Sequence, residues 1–285
     1  MNKVDYSFLE YSYNPETLSI TVVESQLERL GFSKRTRNSE GNVVIWTQNL
    51  CILILKACNV QTAGITGIGF LCDRETITLT NAQPDPDDTG MYIVDNCAGL
   101  RTLLMPQEEF NDLRKSLQHI ERNNKPNSGA GLHYVSGIIY NNTNARMRDF
   151  YQDMLGFKFT KTGNRYYTFM SANNRFTILM DTQSDDNNIP SVICDTDDVF
   201  VTTANYVSSG VELRKFDIPE DLNFGPLNHK IKGYNCNASG NENSYTIENL
   251  IPNAAPNLDI IFRQRKQYLH ISEKTLDTYY ADAEK

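Results

Sequence analysis

An internal match without gaps constrains this chain more than any other feature. Leu30-Gly31-Phe32-Ser33 through Leu53-Ile54-Leu55-Lys56 aligns with Leu155-Gly156-Phe157-Lys158 through Ile178-Leu179-Met180-Asp181 at a constant offset of 125 residues. A duplicated unit fixes the architecture before any single motif does. In both copies an alternating strand (Tyr6 to Tyr13; His133 to Tyr140) leads through polar turn residues into a helix. Leu18, Val22, Leu27 and Leu30 give the first helix one buried face, and Met147, Phe150, Tyr151 and Leu155 do the same in the second. Gly31 and Gly156 stand where each helix should stop, because glycine takes the left-handed conformation of a helix end without steric cost.

Two strand-like runs follow each Leu-Gly-Phe: 43–46 and 50–55 in the first copy, 166–170 and 176–180 in the second. A further strand comes after them, Ile65 to Leu71 and Val192 to Cys194. The expected fold class is α+β: two tandem β-α-β-β-β modules with a C-terminal helix. Residues 118–131 are polar and rich in helix breakers and read as a linker between an N-terminal module (1–117) and a C-terminal module (132–285). The segments 183–190 and 217–244 are long polar excursions of the second half, each an entrance loop or a solvated insertion. Residues 267–280 carry Leu269, Leu276 and Tyr280 at roughly helical spacing.

Composition narrows the function classes. The 35 acidic and 27 basic side chains leave a net charge of −8, with no Lys/Arg stripe to neutralise a phosphate backbone, so nucleic acid is not expected as a partner. No run reaches the roughly 18 apolar residues of a membrane span, and the polar start carries no signal core, so no membrane association and a cytoplasmic location are expected. The six cysteines form no C-x-x-C pair and sit mostly in apolar runs, as buried free thiols do. G-x-S-x-G, P-loop and H-E-x-x-H motifs are absent from the sequence. A small-molecule substrate or ligand is the expected partner, and an oligomer is left open.

The paired units, with Phe150-Tyr151-Gln152-Asp153-Met154-Leu155-Gly156-Phe157, Leu132-His133-Tyr134-Val135, Asp195-Thr196-Asp197-Asp198-Val199 and Leu258-Asp259-Ile260-Ile261-Phe262-Arg263, resemble the vicinal oxygen chelate superfamily, most closely its 4-hydroxyphenylpyruvate dioxygenase-like members. The resemblance implies a non-haem Fe(II) oxygenase, or one using another divalent metal, that acts on an aromatic keto acid or a similar vicinal-oxygen substrate. It also implies that each module forms an open, cup-shaped (partial barrel) sheet, and that the C-terminal cup would hold the metal on two histidines and a glutamate, leaving vacant positions for the substrate and dioxygen.

Carried over by motif, the first ligand position is His133. The second, a histidine in the family, is Ser191, and the third, a glutamate, is Asp259. Serine is a poor neutral donor, so the triad is incomplete. His229 on the long loop is either a replacement imidazole or an exposed loop residue, and His133 is either a ligand or a core histidine. At the 125-residue offset Phe8 falls opposite His133, as suits a first cup without metal. Tyr167, Phe169, Phe176 and Phe262 line the second cup if they point inward; otherwise they are sheet core. The resemblance also implies that the terminal helix closes over the site, with packing against the outside of the cup as the alternative. A metal-free small-molecule or protein binding module on the same scaffold is the rival function, motivated by Ser191.

Overall fold

The computed structural model of the 285-residue chain describes residues 4–37, 43–60, 63–86, 88–94, 100–123, 131–140, 148–162, 166–171, 176–181, 191–196, 199–215, 244–247 and 260–264. The terminal segment 267–280, the excursions 183–190 and 217–243, His229 and Asp259 lie outside them.

Two eight-stranded sheets share one strand order. The first runs β2(Ser33–Arg37), β3(Val43–Gln48), β4(Cys51–Ala57), β1(Val4–Tyr13), β5(Gly64–Cys72), β8(Arg101–Pro106), β7(Asp88–Val94), β6(Gln83–Asp85). The second repeats it with β10(Lys158–Thr162), β11(Tyr166–Met170), β12(Thr177–Asp181), β9(Leu132–Tyr140), β13(Ser191–Thr196), β16(Ile260–Gln264), β15(Ser244–Ile247), β14(Leu213–Lys215). Mixed sheets with few helices make the α+β class, in two tandem modules as the repeat predicts.

The β-α-β-β-β unit occurs twice within each module. The pairs β1/β4, β5/β8, β9/β12 and β13/β16 are parallel. Each closes a unit whose helical crossover a parallel connection requires. Antiparallel pairing of β1 with β5, and of β9 with β13, joins two units back to back. Ile65 to Leu71 is therefore the opening strand of a second unit rather than the last strand of the first. Sequence periodicity misses β2 and β10 because Ser33-Lys34-Arg35-Thr36-Arg37 and its counterpart carry little apolar signal.

Helices α1(Ile20–Arg29) and α2(Arg74–Leu79) cover one face of the first sheet. Alternation along β1 sends Leu9, Tyr11 and Tyr13 into the core beneath α1, where they meet Val23, Leu27 and Leu30. At the end of α1, Gly31 adopts φ +90° and Phe32 N–H donates to Leu27 O at 2.9 Å, the closure expected of a glycine stop. Gly156 adopts φ +69° at the matching place, after a π-helical turn over Phe150–Met154.

The opposite face of the first sheet is the cup interior. It carries Tyr6, Phe8, Ile52, Ile54, Leu103 and Met105, covered at one end by Leu113 and Leu117 of α3(Asn111–Asn123). The last six residues of α3 fall in the segment that reads as a linker. Its leucines at i and i+4, with Ile120 one turn on, form an apolar stripe that docks on the cup.

The modules share a core. Phe70 on β5 meets Tyr151, Phe157 and Phe176 of the second module at centroid distances of 6.5, 5.9 and 5.0 Å, each edge-on. Gln48 bridges Leu30 O (2.6 Å) and Leu132 N–H (2.9 Å), and Ser7 Oγ donates to Val135 O (2.6 Å). Among the described residues no helix is long and apolar enough to cross a membrane. Cys51, Cys72 and Cys194 are buried free thiols, and Cys58 is a half-buried one.

Candidate functional site

Strand register fixes where the family's ligand positions lie. Ser191 pairs with Ile139 across β13 and β9, and Asp195 with Tyr134. His133 occupies the bulge between Tyr134 and Leu132, at the far end of β9 from Ser191. At about 3.3 Å per residue the two are separated by roughly 15–20 Å along the strands. Transition-metal ligand atoms must lie within roughly 2.0–2.3 Å of one point, so His133 and Ser191 do not share a metal.

His133 sits instead at the joint between modules. It is buried, its ring stands edge-on to Tyr134 at 5.5 Å, and its carbonyl accepts from Leu50 N–H at 2.7 Å.

The repeat itself matches Phe8 with a different residue from the one the constant offset suggests. Phe8 pairs with Ile52 on β4, and the residue that pairs with the matching Thr177 on β12 is Gly137. From Phe8 to Gly31 is 23 residues and from Gly137 to Gly156 is 19, so the crossover between opening strand and glycine is four residues shorter in the second module. Phe8 is thus equivalent to Gly137, not His133.

The interior face of the second sheet presents Gly137, Ile139, Thr177, Leu179, Ser191, Ile193 and Asp195, alternating with the core residues Ile138, Tyr140, Val192 and Cys194. A Cβ at Gly137 would lie 2.6 Å from Thr177 O, so this part of the floor is bare backbone. Asp195 accepts from Ser136 Oγ at 2.8 Å. Among the described residues no three His, Cys, Asp or Glu side chains cluster as metal ligands. Among the described residues the donor set at the Ser191 level, a serine beside isoleucines and a glycine, does not by itself fit divalent iron.

Three of the four aromatic residues expected to line this cup face the other way. Phe169 and Phe176 are buried in the shared core and Tyr167 packs against it, because β11 pairs with β12 in the register Tyr167 to Met180 and Phe169 to Ile178, both core positions. Phe159 stacks on Tyr167 and Phe169 at 5.4 and 5.2 Å. Their alternating spacing was the spacing of sheet core. The backbone of Phe262 pairs with Cys194.

A polar cluster that sequence reasoning missed lies in the first cup. Glu10, Lys56, Asp85 and Arg101 are held together by β1, β4, β6 and β8. Lys56 Nζ donates to both carboxylate oxygens of Asp85, at 3.0 and 2.8 Å, with both side chains buried. Arg101 donates to Glu10 Oε1 and places its other terminal nitrogen 3.9 Å from Asp85 Oδ2. Thr66 Oγ1 donates to the same Glu10 oxygen at 2.7 Å and lies 2.6 Å from Ser12 Oγ. Burial alone would lower the Arg101 pKa, but the Glu10 carboxylate, with Asp85, more than offsets this and holds it above the usual arginine range. The signal in the sequence was a charge inside apolar strands, Leu9-Glu10-Tyr11 and Leu55-Lys56-Ala57. Asp85 carried no such signal, since Pro84-Asp85-Pro86-Asp87 reads as a turn.

No protein-family model matches the chain, and no curated protein matches it in sequence. Solved structures match its fold. A xylose isomerase-like TIM barrel/4-hydroxyphenylpyruvate dioxygenase fusion protein is similar at 14% identity and TM-score 0.55 over 100% of this chain and 53% of that one, so the chain spans about half its length. The 2,3-dioxygenase LapB from Pseudomonas sp. KL28 is similar at 11% identity and TM-score 0.53 over 92% of both chains. A mutant 4-hydroxymandelate synthase from Streptomyces coelicolor is similar at 12% identity and TM-score 0.54 over 100% of both. With its two modules of paired β-α-β-β-β units, the chain has the fold of the vicinal oxygen chelate proteins.

Proposed function

We propose that this chain is a metal-independent small-molecule-binding protein on the vicinal oxygen chelate scaffold. The observation that carries the reading is the register of β9 against β13, which sets Ser191 beside Ile139 and leaves His133 at the other end of the strand. A floor of Gly137, Ile139, Leu179 and Ile193 with Thr177, Ser191 and Asp195 suits an organic ligand held by apolar contact and a few hydrogen bonds. The net charge of −8 disfavours a nucleic acid in its place.

A second reading is a non-haem iron oxygenase whose metal is held by Asp259 and His229 with His133 uninvolved. The fold it shares with the fusion protein and LapB motivates it. Thermal-shift screening with catechols and aromatic keto acids, with and without chelator, separates the two. Stabilisation indifferent to chelator supports metal-independent binding. Stabilisation lost on chelation, together with bound iron that disappears in Asp259→Ala, overturns it in favour of the oxygenase.

A further inference from the structure

We infer that the cup of the first module is a binding site for a small zwitterion, of the chemical class of a free amino acid. Glu10 is fully buried, and its two carboxylate oxygens have different surroundings. Oε1 accepts from Arg101 and from Thr66. Oε2 has no hydrogen-bond partner among the described residues. An ionised oxygen stripped of water and left without a donor is costly. The neighbouring donors are already turned elsewhere: Lys56 Nζ faces both oxygens of Asp85, and the Thr66 hydroxyl is engaged by Glu10 Oε1 and Ser12. We assign the donor for Oε2 to a bound molecule, and an ammonium is the strongest match to a carboxylate.

Arg101 supplies the other half. Its side chain is 33% exposed, while Glu10, Lys56 and Asp85 are buried, so it is the member of the network that reaches solvent. A guanidinium has five N–H groups, and the contacts to Glu10 and Asp85 engage its two terminal nitrogens once each. An anion meeting Arg101 while its ammonium meets Glu10 Oε2 leaves the cluster of two cations and two anions neutral. Size is limited by the cup's own contents. The Phe8 ring fills the space over Gly69, Leu103 crowds Gly67, and Leu113 and Leu117 cover the far end. This site is independent of the reading given to the second cup.

Calorimetric titration of the full chain with the common amino acids, each beside its matched amine and matched carboxylate, tests the inference. The expected result is saturable binding of at least one amino acid, with neither half-ligand bound at the same concentration. Glu10→Gln and Arg101→Gln should each weaken it by about tenfold or more. Absence of binding by every amino acid, equal binding of a half-ligand, or undiminished binding in both variants overturns it. If Glu10→Gln does not fold, Arg101→Gln alone decides, since that side chain is partly exposed.

Discussion

Lys56 and Asp85 form a bidentate ion pair across the first cup, with Nζ 2.8 and 3.0 Å from the two carboxylate oxygens and both side chains shielded from water. The residues are contributed by β4 and β6, which lie far apart in the strand order, so the pair ties one edge region of the sheet to its centre. Removing one partner strands the other charge in a place of low polarity. Lys56→Met and Asp85→Asn should each destabilise the fold by about 3–5 kcal/mol. A double-mutant cycle read by urea unfolding should give a double variant less damaged than the sum of the two single ones. Additive losses would mean that the two groups do not act on each other.

Tyr11 has the opposite character. Its side chain is buried beneath α1 and its hydroxyl has no partner among the described residues. Burial pushes its pKa well above the ordinary tyrosine value. Tyr11→Phe deletes an unsatisfied polar atom and keeps the ring, so it should be neutral or stabilise by about 1 kcal/mol. Tyr140→Phe, which breaks the 3.0 Å contact between the Tyr140 and Tyr151 hydroxyls, should cost about 1 kcal/mol. Thermal unfolding of the two variants side by side checks the difference in sign.

The repeat was legible because Leu-Gly-Phe and the strands after it preserve spacing, and Gly31 and Gly156 keep positive φ at both helix ends. The doubling of the unit inside each module was not. α2 has only six residues, and Asp73, which caps it by accepting from Thr76 N–H at 2.8 Å, is a signal too short to stand out. The position of His133 relative to Ser191 was not legible for a different reason. A motif match places His133 by its neighbours in sequence, whereas its partners are set by two bulges in β9 and by a shorter crossover. The aromatic alternation of Tyr167 and Phe169 gave the right period without saying which face of the sheet it served.

Gly137 should be intolerant of any side chain. A Cβ there would lie 2.6 Å from the Thr177 carbonyl, which is backbone and cannot swing away. Gly137→Ala should cost about 1–3 kcal/mol by forcing β9 from β12. Gly156 offers the contrast: its φ is +69° but nothing lies within 4 Å of an added Cβ. Gly156→Ala should cost about 1 kcal/mol from the left-handed backbone alone. Equilibrium unfolding of the two variants should rank Gly137→Ala as the more damaging. The reverse order would refute the close approach of the two strands.

Alkaline pH should weaken the fold through groups that the core keeps protonated. Burial raises the Tyr206 pKa, and it pushes Tyr151 up to about 12 against opposing hydrogen bonds from Tyr140 and Thr102. Cys194 is raised as well, first by its side-chain hydrogen bond with Cys51 across the module boundary and then by burial. In the unfolded chain a thiol ionises near about pH 8.5 and a tyrosine near about pH 10. Below those values both states hold the same protons and the full stability is present. Above them the unfolded chain releases protons that the folded chain keeps, so stability falls as pH rises, by up to about 1.4 kcal/mol per pH unit for each group. The decline from Tyr151 should run from about pH 10 to about 12. Denaturant midpoints measured across this range should drop steadily, and the drop should be shallower in Tyr151→Phe, which has no proton to lose. A midpoint that holds level above pH 10 would mean that these hydroxyls ionise in the folded chain as readily as in the unfolded one.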